Sequence, residues 1–364
     1  MQLTGTTQLL AVALAVSSVV ALALAAAVLV WHRWSRMRDA RVGRDSHALA
    51  LAFARFLSGR LDAPALRLTS HGARPQVFWA AVETFADSFA GEEWARLSAV
   101  LQGLDHVARE RHRLENGRAW PRALAARHLG MLNDPANRES LRRAMAAGPP
   151  AVTLMAALAL ARMQDHAALV WLLDHSERLE RLSRHQLVAL IKRFGPEALP
   201  TLRFGLAAAD LQRPSGLAAV DVLGLWRDTE SRLPLEMLLK DGEREARIAA
   251  ARALGSIGEG DSVDALCTAL RDDAWQVRAQ AARALGALAV PAAIAALAPS
   301  LRDTSWWVRR NAAYALGSLG EAGAAVLSGI ASQSDDPFAR GAASEVLQAI
   351  EWDRECPGGV SRVG

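Results

Sequence analysis

Three stretches decide how this chain folds: RIAAARALGSIG (247–258), RAQAARALGALA (278–289) and RRNAAYALGSLG (309–320). Their starts lie 31 residues apart. Aligned, they stack residues into columns: Arg247, Arg278, Arg309 and Arg340; Leu254, Leu285, Leu316 and Leu347; Gly255, Gly286 and Gly317. The leucine column runs backwards through Leu223, Ile191, Leu160 and Leu129, with every step 31 residues except one of 32 between Ile191 and Leu223. That gives eight units across residues 116–352. A fixed period of this size marks a repeat array, in which a unit buries its apolar face only against its neighbours.

Each clear unit reads as a helix pair. In the unit beginning at 272, Asp272 or Asp273 offers a cap, and AWQVRAQAARALGAL spaces its apolar residues at the helical period. Gly286 falls near the end of that helix, and Pro291 suits the first turn of the next, PAAIAALAPSLRD. Units between 150 and 235 keep little but the apolar spacing, as in AVTLMAALALARM (151–163) and HQLVALIKRF (185–194). Ahead of the array, residues 47–58, 76–89 and 92–114 read as helices and 61–75 as a loop, together a helical cap over 47–115. Residues 353–364 read as a frayed tail. The expected fold class is all-α: an α-solenoid of about eight 31-residue helix pairs over 116–352, preceded by one transmembrane helix.

The segments DDAWQVRAQAARALGALA (272–289) and DTSWWVRRNAAYALGSLG (303–320) resemble short HEAT repeats of the bacterial type first noted in phycobilin lyases. The resemblance is specific over 241–350, fair over 116–150 and weak between. It implies an α-solenoid, a fold used by many unrelated adaptors, and it implies no lyase activity.

The chain has 364 residues, 51% of them hydrophobic and 22% charged. Two cysteines exclude a disulfide scaffold and cysteine-based zinc frameworks. No charged side chain precedes Arg33, and Leu9 to Trp31 runs LLAVALAVSSVVALALAAAVLVW. As a helix that stretch spans roughly 34 Å, enough for a hydrocarbon core of about 30 Å. A cleaved signal peptide would start basic and carry a shorter apolar run. Residues 1–31 are therefore expected to be a retained anchor in the lipid bilayer, followed by a basic juxtamembrane linker over 32–46. Trp31 and Trp34 stand at the interface, with Arg33, Arg36, Arg38, Arg41 and Arg44 behind them. The positive-inside rule puts the N-terminus outside and the remainder in the cytoplasm, at a bacterial inner membrane. Ala13, Ser17, Ala21 and Ala25 form a small-residue column for pairing with another transmembrane helix; a plain lipid-facing anchor is the other reading.

A catalytic set is hard to find. The chain lacks HExxH, GxSxG, P-loop and GxGxxG motifs. His106 and His112 are too far apart in register to share a helix face, and the Asp165–His166 and Asp174–His175 pairs read as caps or surface residues. Deoxyhypusine hydroxylases, built on HEAT repeats, hold iron with His-Glu pairs, and no His-Glu dipeptide occurs here. Cys267, in VDALCTAL, reads as a core residue. The chain is thus expected not to be an enzyme and to need no cofactor or metal.

Two polar and aromatic patterns remain. The arginine column can pair with Asp241, Asp272 and Asp303 at the preceding junctions, a ladder that fixes the register of the layers; direct ligand binding is the alternative. Trp275 and Trp306 share one column, and Trp120, Trp307 and Phe338 the next. Adjacent Trp306 and Trp307 cannot both face a core, so at least one is exposed beside Arg309 or Arg310. Trp and Arg are the residues of binding hot spots, so Trp120, Trp275, Trp306, Trp307, Arg310 and Phe338 form a candidate partner surface. Rings that merely cover helix ends are the competing reading.

The expected function is a non-enzymatic, membrane-tethered scaffold binding a protein partner. Similarity to anchored bacterial HEAT proteins implies a membrane enzyme as partner, such as a polysaccharide glycosyltransferase. A bilin lyase or cofactor-handling chaperone is the alternative by family analogy. A nucleic-acid-binding solenoid is disfavoured by charge: residues 32–45 hold five Arg and two Asp, +3 of the net +4, which leaves the array without a basic stripe.

Overall fold

The computed structural model describes residues 31–33, 42–86, 88, 91–179, 182–208 and 213–355. Among the described residues there is no strand. The chain divides into two compact units, Met1–Ser140 and Leu141–Gly364. Most of the expected anchor, its pairing column Ala13, Ser17, Ala21 and Ala25, the interface residues Trp34, Arg36, Arg38 and Arg41, and the segment 356–364 lie outside the described residues. Trp31 and Arg33 lie in a short helical piece and Arg44 in a helix, all exposed. No helix of the described residues is long and apolar enough to cross a membrane.

In the first unit, α1 (residues 42–57), α2 (Ala63–His71), α3 (Pro75–Ala86), α4 (Gly91–Leu101), α5 (Asp105–Asn116) and α6 (Ala119–Leu132) bury Phe53, Leu66, Phe78, Val82, Leu97 and Leu129. Phe53 and Phe85 meet edge to face at 5.5 Å between ring centres. Trp94 donates its indole N–H to the Met131 carbonyl at 3.1 Å, which ties α4 to the end of α6. Two expectations fail in this unit. Residues 61–75 are not a loop, because they contain α2. Asp62 accepts the Ala65 N–H at 2.9 Å, and Pro64 sits in the first turn, where its missing N–H costs nothing. Residues 92–114 are not one helix but α4 and α5, separated at Gln102–Leu104.

The division between the units falls within α7 (Arg138–Ala147). The second unit continues with α8 (Pro150–Arg162), α9 (His166–Asp174), α10 (Arg184–Lys192), α11 (Leu199–Ala208), α12 (Pro214–Leu225), α13 (Arg232–Asp241), α14 (Arg244–Ile257), α15 (Val263–Ala269), α16 (Trp275–Leu288), α17 (Ile294–Leu297), α18 (Trp306–Ser318), α19 (Gly320–Gln333) and α20 (Pro337–Glu355). The even-numbered helices are the first helices of successive repeats, and each packs against the next from α8 to α20. The segment 291–303, expected as one helix, is a short α17 between 3-10 turns Pro291–Ala293 and Ala298–Arg302; Pro299 cannot supply the N–H that would continue it. α20 runs on to Glu355, into the stretch read as tail.

The leucine column is the core. Leu160, Leu223, Leu254, Leu285 and Leu316 are fully buried and Ile191 nearly so, each burial stabilising by about 1.5–3 kcal/mol. The glycine column serves a purpose other than ending helices. A Cβ on Gly255 would lie 2.8 Å from Ala284 Cα, and one on Gly286 would lie 2.9 Å from Ala315 Cα. Gly224 meets Ala253 Cα at 2.7 Å in the same way. These glycines let successive first helices touch backbone to backbone. Helix ends belong to a different column. Asn133, Gln164, Gly195, Arg227, Gly258, Ala289 and Gly320 all have φ between 52° and 86°. They recur at 31 residues except for one step of 32, between Gly195 and Arg227. Four of the seven are not glycine, so stacking holds a left-handed turn that the local sequence does not favour.

Candidate functional site: an aromatic and arginine edge

The arginine ladder exists but runs in the opposite sense from the expected one. Arg247 reaches forward to Asp272, with Nε and Nη2 donating to its two carboxylate oxygens at 2.7 and 2.8 Å. Arg278 holds Asp303 identically, at 2.7 and 2.8 Å. To the preceding junction each offers only Nη1, which donates to a carbonyl: Arg247 to Gly242, Arg278 to Asp272, Arg309 to Asp303 and Arg340 to Ser334. The bidentate fork explains why arginine fills the column. Asp241 is exposed and unlike Asp272 and Asp303 has no column arginine behind it, since Gly216 stands there. Asp272 and Asp303 do not occupy the N-cap position. Their carboxylates accept the N–H groups of Ala274 and Ser305, two residues on. Burial pushes the Asp303 carboxyl up, but the hydrogen bonds from Arg278 and Ser305 and the charges of Arg278 and Arg309 outweigh it, leaving it below its ordinary value. Asp272 is held low by Arg247 in the same balance.

A second set of ties escaped the sequence reading. Arg142 on α7 clamps Asp165 at 2.8–3.1 Å, and that carboxylate also caps α9 through the Ala168 N–H. Arg203 on α11 holds Asp228 at 2.8 Å through Nε. Asp221 on α12 joins two first helices at once, bonded by Arg184 of α10 and Arg252 of α14, both at 2.6 Å. In the first unit Arg111 of α5 reaches Asp134 at 3.1 Å.

The candidate partner surface forms at the starts of α16, α18 and α20. Trp306 and Trp307 are 50% and 51% exposed, and their rings meet edge to face at 4.7 Å. Arg310 lies over Trp306 at 5.6 Å and over Tyr314 at 4.8 Å, while Arg309 lies over Phe338 at 4.9 Å. Trp275 occupies the same edge one repeat earlier and is also exposed. Trp120, at the start of α6, is exposed but belongs to the other unit. Thus Trp306, Trp307, Arg310 and Phe338 come together, joined by Tyr314 and Arg309, which the sequence reading did not place in the surface.

Other chemistry is sparse. Among the described residues no group of three or more His, Cys, Asp or Glu is arranged to hold a metal. Cys267 is half-buried rather than core; it lines an open cleft of about 200 Å³ with Arg271, Pro299 and Asp303. Burial, then the Asp264 charge, pushes its thiol up, away from a reactive thiolate. In the first unit His106 is buried, stacked on Phe78 and within 3.2 Å of the Ser70 carbonyl, and burial lowers its pKa. His112 is exposed, pointing elsewhere. Glu110 is buried and takes Arg113 at 2.7 Å, with His128 at 3.6 Å stacked on Trp79. This constellation ties α3, α5 and α6.

Several known proteins share features with this chain. Human deoxyhypusine hydroxylase in complex with glycerol is 17% identical, with 84% of this chain and 96% of that one covered and a TM-score of 0.31. The complex of CpcE and CpcF of phycocyanin lyase from Nostoc is 19% identical, covering 80% and 95%, with a TM-score of 0.26. An engineered protein is 19% identical, covering 84% of each chain, with a TM-score of 0.34. No curated protein matches. The family model described as HEAT repeats matches residues 216–275 and 263–348, so this part of the chain is built of HEAT repeats.

Proposed function

We propose that this chain is a non-enzymatic scaffold that binds a protein partner along the edge formed by Trp275, Trp306, Trp307, Arg310 and Phe338. One observation carries the reading: two adjacent tryptophans stand half exposed at the start of α18, whose other face is buried in the stack. Large rings held rigidly in water cost little ordering entropy when a partner covers them, which is the property of a hot spot. In the finer form of the proposal, residues 9–31 tether the array to the bacterial inner membrane with residues 32–364 in the cytoplasm. The partner is then itself membrane-associated, such as a polysaccharide-making glycosyltransferase, because tethering makes their encounter effectively intramolecular.

Crosslinking followed by mass spectrometry in native membranes, comparing wild type with Trp307→Ala, tests this. A stoichiometric partner captured by wild type and lost from a still-folded variant is the expected result. If the folded variant keeps every partner, the edge is not the binding surface; a chain that fractionates away from membranes removes the tether from the proposal.

A further inference from the structure

The ladder stops one rung short, at the candidate edge. In Arg247 and Arg278, Nη1 goes back to the preceding junction while Nε and Nη2 grip the next aspartate. Arg309 repeats the first half: its Nη1 donates to the carbonyls of Asp303 and Thr304 at 2.8 and 3.1 Å. The second half is missing. The residue 31 positions beyond Asp303 is Ser334. Ser334 keeps the geometry of the ladder acids, since its hydroxyl accepts the N–H two residues on, from Asp336, at 3.3 Å. It carries no charge and does not reach Arg309. Among the described residues, no acceptor takes Nε or Nη2 of Arg309, whose guanidinium instead lies against the exposed ring of Phe338.

We infer that a carboxylate from a partner segment completes this rung, with an adjacent apolar or aromatic side chain of the same segment seated against Trp306, Trp307 and Phe338. This rests on the scaffold reading and adds the chemistry of the partner. The open fork itself favours an acidic occupant, since Nε and Nη2 of Arg309 can together donate to one carboxylate as those of Arg247 and Arg278 do. The charges of Arg309, Arg310 and Arg340 are matched in number by Asp335, Asp336 and Glu345, so geometry and not net charge selects the carboxylate. A guanidinium already anchored through Nη1 loses little freedom when its free Nε and Nη2 donate to a carboxylate.

The test uses the full chain in detergent and two short fluorescein-labelled peptides, one alternating Glu and Phe, the other Gln and Phe, read by anisotropy. Wild type should bind the glutamate peptide about tenfold more tightly, as a charge-assisted pair contributes. Arg309→Gln should make the two peptides equal. Ser334→Asp should do the same by supplying the missing carboxylate internally, and it should raise the thermal midpoint as well. Equal affinity of wild type for both peptides, or undiminished discrimination by Ser334→Asp, overturns the inference. Native crosslinking separates it from the scaffold reading. Partners lost by Trp307→Ala but kept by Arg309→Gln and Ser334→Asp sink the rung and leave the scaffold. Intact peptide discrimination with no native partner captured sinks the scaffold and leaves the rung.

Discussion

Residues 141–241 and 244–333 stack first helices in the same order, yet most of their ionic ties sit in different rows. In the later stretch the arginine of each first helix grips the aspartate before the next first helix, as in Arg247–Asp272 and Arg278–Asp303. In the earlier one the ties join second helices to the turn ahead, as in Arg142–Asp165 and Arg203–Asp228, or join first helices directly through Asp221. The turn position held by Asp165 and Asp228 is Pro196 between them and Glu259, Val290 and Glu321 in the later stretch, where Arg232 reaches Glu259 at 3.4 Å; the place of Arg247 holds Thr153, Arg184 and Gly216 in the earlier one, and Arg184 there turns to Asp221. Common to both are buried apolar columns and close backbone approach. The difference teaches that the stack is specified by what is buried, while polar ties need only bridge layers somewhere. A sequence that looks degenerate has moved its ties.

The largest effect should come from the shared part. Gly286→Val forces a side chain against the Ala315 backbone and should cost about 3 kcal/mol in denaturant unfolding. Gly224→Val, pressed against Ala253, should lose a similar amount; a trivial loss there would break the claim that both stretches share one packing.

Next come the ties. Arg278→Ala and Arg203→Ala should each cost about 2 kcal/mol, because each strands a carboxylate, Asp303 at 12% side-chain exposure or Asp228 at 4%. Their pH dependence follows from direction. Burial raises Asp228 and Asp303, their arginine and hydroxyl or amide donors outweigh it, and both end below the ordinary carboxylate value. A group depressed in the folded state contributes stability above its unfolded pKa of about 3.9, and that contribution fades as pH falls through the folded pKa. Removing Arg278 leaves burial at Asp303 opposed only by the Ser305 N–H and the Arg309 charge, so acid unfolding should begin at higher pH than in wild type.

Smaller gains should follow from relieving the left-handed turns. Ala289→Gly and Gln164→Gly, one in each stretch, should each stabilise by about 1 kcal/mol in thermal or denaturant melts. The smallest effect is a control: Gly329, mid-α19 with open space around it, should gain about 0.5–1 kcal/mol as Ala.

Much of the stack was legible, because its leucine, arginine and glycine columns recur at one period. Periodicity could not give the sense of the ladder. Asp272 lies 25 residues after Arg247 and six before Arg278, and both spacings repeat equally well. The second-row ties were hidden for the opposite reason, since Arg142–Asp165 and Arg203–Asp228 differ in spacing. α2 was missed because Asp62, Pro64 and Gly72 are turn residues in isolation and cap, first turn and stop in context. At the candidate edge, the exposure of Trp306 and Trp307 followed from their adjacency, but the place of Tyr314 depended on which way Arg310 turned.

The left-handed column has a consequence for how such a chain can change length. Excising residues 259–289 would join Gly258 to Val290 at equivalent points of the repeat. Gly255 would then face Ala315 where it now faces Ala284, and Arg247 would meet Asp303 where it now meets Asp272. Both contacts are exchanged for ones of the same kind, while the ionic tie of Arg232 to Glu259, whose place Val290 would take, is given up. Copy number is therefore a nearly free variable, open to duplication and loss by whole periods, whereas a single residue is absorbed only between helices, as the 32-residue step between Gly195 and Arg227 absorbs one; inside a first helix it would turn every later residue of that helix off its support.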